Sequence, residues 1–297
     1  MENLKLRRSA RKDSERIDNL VKEYNFKLVP PADGFCDEEE MICKKISDND
    51  GNMIAGCVGY IYPWGCLYVD DLWVDEKYRR QELGSHLLQA AEEIAVNRGC
   101  YLSYLGTGDF QAKPFYLKHG YALYGTVLNE PVGHESFELF KRLEKGQPKR
   151  HCRPIPYQVS DGTEEDMELI GDKLYEYNLP FLAPKHDYIK INRKLVDESG
   201  KAVAAIMAGV TESDVGVVWK IWVDEEYRDQ GLGTRLIKHF EKKAKEKGAN
   251  KIVIEEVYDW NVGFFLKSGY NVACELTDLP KGHSCYVVDK DLRGDRV

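Results

Sequence analysis

Several features that mark common functional classes are missing from this sequence. Its eight cysteines are scattered without a C-x-x-C pair, which argues against a zinc site, and we interpret them as reduced thiols of a cytoplasmic protein. The N-terminus is charged and no apolar run approaches ~18 residues, so we expect neither a signal peptide nor a membrane span. Neither the Rossmann glycine spacing nor the Gly-Lys-Ser/Thr of a Walker loop accompanies the glycine-rich turn discussed below.

Positive charge is also in deficit. The formal net charge is −8, whereas a nucleic-acid-binding protein needs a basic face. An acidic balance mildly favours the attraction of basic amines. With 297 residues, 43% of them hydrophobic, the chain is long enough for two globular domains of about 145 residues, each with its own core.

The most informative stretch is a strand, a turn and a helix. Val217–Val223 is rich in β-branched and aromatic residues, which predicts a buried strand. Apolar residues recur at helical spacing from Leu236 to Ala244, which predicts a helix. The turn between them, Arg228–Thr234, contains two glycines and an arginine. Exposed amides at a helix start attract anions, glycines let a phosphate approach the backbone, and an arginine adds a charge-assisted contact.

The turn Arg228-Asp229-Gln230-Gly231-Leu232-Gly233 resembles the R/Q-x-x-G-x-G/A pyrophosphate motif of the GNAT (N-acetyltransferase) superfamily. The resemblance implies an α+β fold in which a mixed, mostly antiparallel sheet is flanked by helices. It also implies acetyl-CoA (coenzyme A) as co-substrate. For so short a motif, a glycine-rich turn without a ligand is the alternative interpretation.

A second copy of the motif lies earlier in the chain. Leu72–Gly84 aligns with Ile221–Gly233 at an offset of 149 residues, and the same offset pairs Gly120 with Gly269. An offset held over such a length indicates a duplicated domain. We therefore predict two tandem GNAT domains, an N-terminal one at 1–146 and a C-terminal one at 153–297.

The two copies differ at two positions of the motif pattern. Glu82 stands where the second copy has Gly231, which degrades the first pyrophosphate loop unless the side chain points outward. In the family, a Tyr on a short late helix protonates the departing thiolate. Tyr116 matches it in the first copy, whereas Phe265 replaces it in the second and cannot donate a proton. Tyr116 could alternatively be a core aromatic residue.

The resemblance implies that cofactor contacts lie at the strand ends, turns and late helix of both copies. In the second copy they are Ile221, Trp222, Val223, Arg228, Asp229, Gln230, Gly231, Leu232, Gly233, Thr234, Asn261 and Phe265, and in the first copy Leu72, Trp73, Val74, Arg79 and Gly84. Asn261 could instead cap the short helix that follows it.

Three residues are candidate catalytic groups: Tyr116 as the thiolate's proton donor, Tyr258 as a substitute donor in the second copy, and Glu255 as acceptor of the amine proton through a water. Strand alternation lets only one of Glu255 and Glu256 face the cleft, and a solvated Glu255 is the alternative. No metal site is predicted.

Together these features predict an acetyl-CoA-dependent N-acetyltransferase that acts on a primary amine of a small molecule or peptide. The second copy could bind acetyl-CoA and use another donor, or bind it without catalysis; alternatively, the first copy could be the working site. A non-catalytic acyl-CoA sensor is the competing function. We expect no nucleic-acid or membrane partner, and either a monomer with an internal pseudo-dimer or a homodimer.

Overall fold

The computed structural model describes residues 4–148 and 150–293. The helices among them are α1 Arg11–Leu28, α2 Leu83–Arg98, α3 Lys113–Lys118, α4 Glu164–Leu182, α5 Leu232–Glu246 and α6 Val262–Lys267. The strands are β1 Lys5–Arg8, β2 Glu40–Ser47, β3 Met53–Tyr62, β4 Cys66–Val74, β5 Leu102–Gly108, β6 Ala122–Leu128, β7 Glu135–Arg142, β8 Val159–Asp161, β9 Ile189–Lys190, β10 Arg193–Val196, β11 Ala202–Val210, β12 Val215–Val223, β13 Lys251–Tyr258, β14 Asn271–Thr277 and β15 Ser284–Asp291.

These elements form two compact units. The unit that we call the Tyr116 unit comprises Pro31–Thr126 and Ser136–Phe181. The other, called the Arg228 unit, comprises Met1–Pro30, Val127–Glu135 and Leu182–Val297 as far as these ranges are described. The units therefore do not coincide with the contiguous ranges 1–146 and 153–297, which stay a prediction for the extent of each repeat.

Strand pairing and ion pairs explain the difference. β1 pairs antiparallel with β10, and Lys194 of β10 binds Asp13 of α1 at 2.7 Å. β8 likewise pairs antiparallel with β2, and Lys45 of β2 binds Asp166 of α4 at 2.6 Å. β1 and α1, which open the first sequence repeat, therefore belong to the Arg228 unit together with elements of the second repeat. In the same way β8 and α4, which open the second repeat, belong to the Tyr116 unit.

The sheet of the Tyr116 unit has the order β7-β5-β4-β3-β2-β8. Only the β4–β5 contact in this series is parallel. One face carries the main core, in which Leu87 and Leu88 of α2 are fully buried. On the other face, Ile170 of α4 packs with Val58 and Trp73.

The sheet of the Arg228 unit repeats this arrangement as β1-β10-β11-β12-β13-β15-β14, with β9 paired to β11. Its parallel contact is β12–β13. Leu236, Ile237, Phe240 and Ala244 of α5 are all fully buried in its core, so the helical spacing seen in the sequence is the buried face of α5. The mixed, mostly antiparallel α+β fold is confirmed.

A proline lies inside one of the long helices. Proline lacks an amide hydrogen and usually ends a helix, yet α4 continues to Leu182 with Pro180 inside it. Phe181 stacks on Phe110 at 4.5 Å between ring centroids. Packing of the last turn therefore outweighs the local preference of proline in α4.

The described part of the chain contains no helix that is both long and apolar enough to cross a membrane.

Replacement of a fully buried aromatic residue tests the core of the Arg228 unit. Phe240 is completely buried, and Phe240→Ala should lower the free energy of unfolding by about 3–5 kcal/mol, because it removes transfer energy and leaves a cavity. Leu266→Ala is the control, since Leu266 is 45% exposed. Urea unfolding followed by circular dichroism should show the Phe240 variant unfolding earlier, and equal midpoints for both variants would contradict this packing.

Candidate active site

A cleft opens in the Tyr116 unit where two parallel strands separate. β4 and β5 pair only through Cys66↔Leu102, Leu67↔Ser103 and Tyr68↔Tyr104. Beyond Tyr68 and Tyr104 the two strands diverge, and a cavity of about 580 Å³ lies between their ends. Its wall also includes the start of α2, the helix α3 and two residues of α4, Leu174 and Tyr177.

Two adjacent carboxylates mark the point of divergence. The register of β3 and β4 shifts there. Asp71 lies opposite Val58 and Val69 lies opposite Gly59, so Asp70 has no residue opposite it on β3. Such a bulge re-aims a side chain, and Asp70 lines the cavity. Burial raises the pKa of Asp70. Burial, and secondarily the charge of Asp70, raises the pKa of Asp71 to about 6.

Tyr116 also lines the cavity, from α3. Its side chain is buried, and its ring packs edge-on against Phe115 and Tyr121 at 5.2 and 5.8 Å. Burial raises the pKa of Tyr116, so the hydroxyl is protonated at neutral pH and available as a donor. The structure thus places Tyr116, the candidate acid, in the same cavity as Asp70.

His119, one turn after Tyr116, is a further cavity residue. Its Nδ1 lies 2.8 Å from the carbonyl oxygen of Phe115, which requires that nitrogen to donate. Burial lowers the pKa of His119, so the ring is neutral. Nε2 is then an acceptor, and it is buried without a hydrogen-bond partner among the described residues.

The arginine of each motif anchors its turn. Arg228 Nε donates to the carbonyl oxygen of Val223 at 3.2 Å, and its guanidinium lies over the ring of Tyr24 at 4.4 Å. Arg79 repeats this geometry: its Nε donates to the carbonyl oxygen of Val74 at 3.1 Å, and its guanidinium lies over the ring of Tyr177 at 4.8 Å. The contact that we predicted between Arg228 and a phosphate therefore competes with contacts inside the protein.

The glycines of the motif have separate roles. Gly231 is the residue before α5 and has φ +78°, while Glu82 occupies the same place before α2 with φ +68°. The left-handed conformation costs a non-glycine residue about 1 kcal/mol. A Cβ on Gly233 would lie 3.1 Å from the ring of Phe264, whereas one on Gly84 would lie 3.5 Å from Phe115. The second glycine therefore permits close helix packing.

Glu82 is neutralised by the segment that joins the two repeats. Its Oε2 lies 2.6 Å from Nη1 of Arg150, and Oε1 lies 3.3 Å from Nη2. The same Nη1 donates to Ser85 Oγ at 3.1 Å, and Gln89 binds the carbonyl oxygen of Arg150. The hydrogen bonds from Arg150 lower the pKa of Glu82 to about 2. Glu82 is thus ionised and paired, and both residues line the cavity.

The corresponding region of the Arg228 unit has the same backbone but different chemistry. β12 and β13 also pair over three positions before they diverge, and the bulged residue there is Trp219, followed by Lys220. Phe265, in the place of Tyr116, is buried against Phe264 and Tyr270. The two carboxylates and the hydroxyl of the Tyr116 unit have no counterparts at these positions.

The remaining candidates of the Arg228 unit lie as follows. Tyr258 is 8% exposed and stacks on Trp260 at 4.6 Å. Glu255 and Glu256 are both exposed, because a bulge between Ile254 and Val257 breaks the alternation that we expected to separate them. Asn261 Oδ1 accepts the amide hydrogen of Tyr258 at 2.8 Å; its side chain makes no cap hydrogen bond to α6.

The other predicted cofactor residues lie at matching places in the two units. Leu72, Trp73, Val74, Arg79 and Gly84 all line the cavity of the Tyr116 unit. Ile221, Trp222 and Val223 end β12, and Asp229, Gln230, Leu232 and Thr234 lie in the turn and the first turn of α5.

Sequence reasoning missed Asp70, Asp71 and Arg150. The first two were visible as acidic residues inside an otherwise apolar strand, which is an unusual place for carboxylates. Arg150 lies between the two predicted domains, and only the structure pairs it with Glu82.

Comparison with known proteins gives the family of the chain. The model of the acetyltransferase (GNAT) family matches residues 12–121 and 157–270. The chain is 42% identical over 94 residues to "Blasticidin-S acetyltransferase" of Streptomyces morookaense, covering 31% of this chain and 68% of that protein. It is 35% identical over 82 residues to "Acetyltransferase Atu2258" of Agrobacterium fabrum, covering 28% of this chain and 59% of that protein. A crystal structure of an acetyltransferase from Bacillus cereus is 36% identical, covers 46% of this chain and 96% of its own, and has a TM-score of 0.43. The chain therefore belongs to the GNAT acetyltransferase family and carries two copies of its domain in tandem.

Proposed function

We propose that this protein is an acetyl-CoA-dependent N-acetyltransferase whose working site is the cavity of the Tyr116 unit. One observation carries the proposal: a single cavity brings together Tyr116, Asp70 and the amino end of α2. Transfer of an acetyl group to an amine requires a proton donor, a proton acceptor and a place for the nucleotide's phosphates, and these three features provide them.

The reaction assigns a role to each group. The amine nitrogen attacks the thioester carbonyl carbon, and the carbon–sulfur bond breaks. The Asp70–Asp71 pair receives the proton that the amine loses, with Asp70 facing the cavity. The Tyr116 hydroxyl donates a proton to the departing thiolate and regains one from solvent. Holding amine and thioester in one cavity makes the step effectively intramolecular.

The acceptor that we propose is a primary amine on a small molecule or a peptide. The carboxylates at the bulge attract a protonated amine before it is deprotonated. The similarity to an acetyltransferase named for blasticidin-S favours the small molecule.

The Arg228 unit supports a second candidate role. Its turn keeps both glycines, and a side chain at Gly231 would meet no other residue within 4 Å of its Cβ. Phe265 and Trp219 replace the donor and the carboxylate. We propose that this unit binds acyl-CoA without catalysis. If the Tyr116 unit also failed to catalyse, the whole protein would be an acyl-CoA sensor.

Amine-dependent release of free thiol from acetyl-CoA tests these roles. With a panel of primary amines we expect thiol release that Tyr258→Phe and Glu255→Gln leave unchanged, because neither lines the cavity of the Tyr116 unit. Loss of activity in either variant would move the working site to the Arg228 unit. Tight coenzyme A binding without thiol release for any amine would favour the sensor.

The pH profile tests the carboxylate pair. A base must be deprotonated to accept a proton, and the pKa of Asp71 is about 6. We therefore expect kcat/KM to fall as the pH drops through about 6. The Asp71→Asn variant should be slower, and its kcat/KM should no longer show this fall, the acidic limb of the profile. Glu76→Gln is the control on the same unit, since Glu76 neither lines the cavity nor adjoins Asp70. An unchanged limb in Asp71→Asn would assign the titration to another group.

A further inference from the structure

The Arg228 unit contains a second cavity, of about 850 Å³, that is separate from its glycine-rich turn. None of the residues Arg228–Thr234 lines it. Its wall contains six basic residues and no aspartate or glutamate: Arg8, Arg11, Lys190, Arg193, Lys243 and Lys247. In a chain of net charge −8, such a concentration of positive charge needs a physical explanation.

Two of the arginines are directly opposed. Arg8 of β1 pairs with Arg193 of β10 in the antiparallel register. Like charges at directly opposite positions destabilise a sheet. Burial lowers the pKa of Arg193, and the charge of Arg8 lowers it further, in agreement with the opposed positions of the two residues in the register.

The other unit provides an internal comparison. Lys44 stands 149 residues before Arg193, the offset of the repeat, and its partner in the register is Asp161 of β8. Lys44 and Asp161 form an ion pair. The equivalent strand pairs therefore place opposite charges face to face in the Tyr116 unit and like charges face to face in the Arg228 unit. The fold itself does not require the repulsion.

The helices around the cavity add to the positive charge. α1 begins with Arg11 and Lys12, followed by Asp13, and Arg11 Nε lies 3.1 Å from Glu15 Oε1, whereas α4, its counterpart, begins with Glu164 and Glu165. Acidic residues suit the amino end of a helix, and basic residues oppose its dipole. α5 contributes Lys243, whose Nζ lies 2.6 Å from Glu246 Oε2, and Lys247 directly follows the last residue of α5.

Two buried polar atoms near the basic residues lack partners. Ser9 Oγ belongs to a residue that lines the cavity, and it is buried without a hydrogen bond among the described residues. His239 Nε2, on α5, is likewise buried without a hydrogen bond among the described residues. Burial lowers the pKa of His239, and Arg193 and Lys243 lower it further, so His239 belongs to the same electrostatic environment.

We propose that this cavity binds a phosphate-rich small-molecule anion, with Arg8 and Arg193 as its central ligands. A multivalent phosphate between these guanidinium groups converts their repulsion into charge-assisted hydrogen bonds. Trp219, which also lines the cavity and is 57% exposed, offers a stacking face to a nucleotide base. The phosphate chain is the shared chemistry, and its source is a nucleotide or free polyphosphate. This site does not depend on the proposed acetyl transfer.

Thermal unfolding of the full chain with inorganic tripolyphosphate tests the proposal, with sodium chloride at equal ionic strength as reference. Tripolyphosphate should raise the Tm of the unmodified protein by about 2–4 °C. Arg8→Asp places opposite charges across β1 and β10, as Lys44 and Asp161 do across β2 and β8. It should therefore leave the ligand-free Tm equal or higher and abolish the shift. Arg8→Gln, which only removes the charge, serves if Arg8→Asp does not fold.

Lys5→Asp is the matched control, because Lys5 is exposed on the same strand, lies outside the cavity and undergoes the same change of charge. It should keep the shift. ATP distinguishes the two sources: tighter binding than tripolyphosphate assigns a nucleotide, and equal or weaker binding assigns free polyphosphate. No shift in the unmodified protein beyond that of sodium chloride, or an equal shift in the Arg8 variants, would overturn the proposal.

Discussion

Replacement of Tyr116 by phenylalanine is expected to lower kcat for acetyl transfer by about 10²–10⁴-fold, the usual contribution of a positioned general acid. The variant keeps the ring contacts with Phe115 and Tyr121 and loses only the hydroxyl. A proton donor to the leaving thiolate acts in the transition state, so KM for acetyl-CoA should change little. Steady-state thiol release at saturating amine measures both constants.

The repeat offers a matched control for this experiment. Phe265 occupies the equivalent place in the Arg228 unit and is buried against similar aromatic neighbours. Phe265→Tyr in the Tyr116→Phe background should not restore activity, because Trp219 and Lys220 stand where a carboxylate pair is needed. Restoration would show that the Arg228 unit catalyses once it has a donor, and a loss below about threefold in Tyr116→Phe would remove Tyr116 from the role of acid.

Local patterns predicted the elements of the fold well. The helical spacing of Leu236 to Ala244 and the β-branched run of Val217–Val223 both became buried faces in the structure. These patterns work because each depends on neighbours along the chain and on a single core. The two motifs were recognised for the same reason, since a strand, a turn and a helix are contiguous.

Long-range partners could not be predicted in this way. Nothing local indicates that β1 pairs with β10 and not with the strand that follows it in its own repeat. The pairing of Glu82 with Arg150 joins residues that are 68 positions apart. Asp70 and Asp71 gain their significance from the bulge and from burial, which depend on the whole sheet. The parts of the site that sequence reasoning missed are therefore those that tertiary contacts create.

Arg150 is the long-range partner with the largest expected effect on cofactor binding. It lies outside both matches to the family model, yet it lines the cavity and neutralises the carboxylate at the amino end of α2. Arg150→Gln should raise KM for acetyl-CoA about 10–100-fold, because it removes a cation from the proposed phosphate site and leaves the Glu82 charge unpaired. Initial rates over a range of acetyl-CoA concentrations measure the change.

A double-mutant cycle separates these two causes. If the unpaired carboxylate dominates, Glu82→Gln combined with Arg150→Gln should recover most of the lost affinity. If the lost cation dominates, the double variant should remain as weak as Arg150→Gln alone. Arg153→Gln is the control, since Arg153 is 72% exposed and lies 3.9 Å from Glu82, and an exposed pair contributes little. An Arg150→Gln variant with the same KM as the unmodified protein would show that acetyl-CoA does not bind at the start of α2.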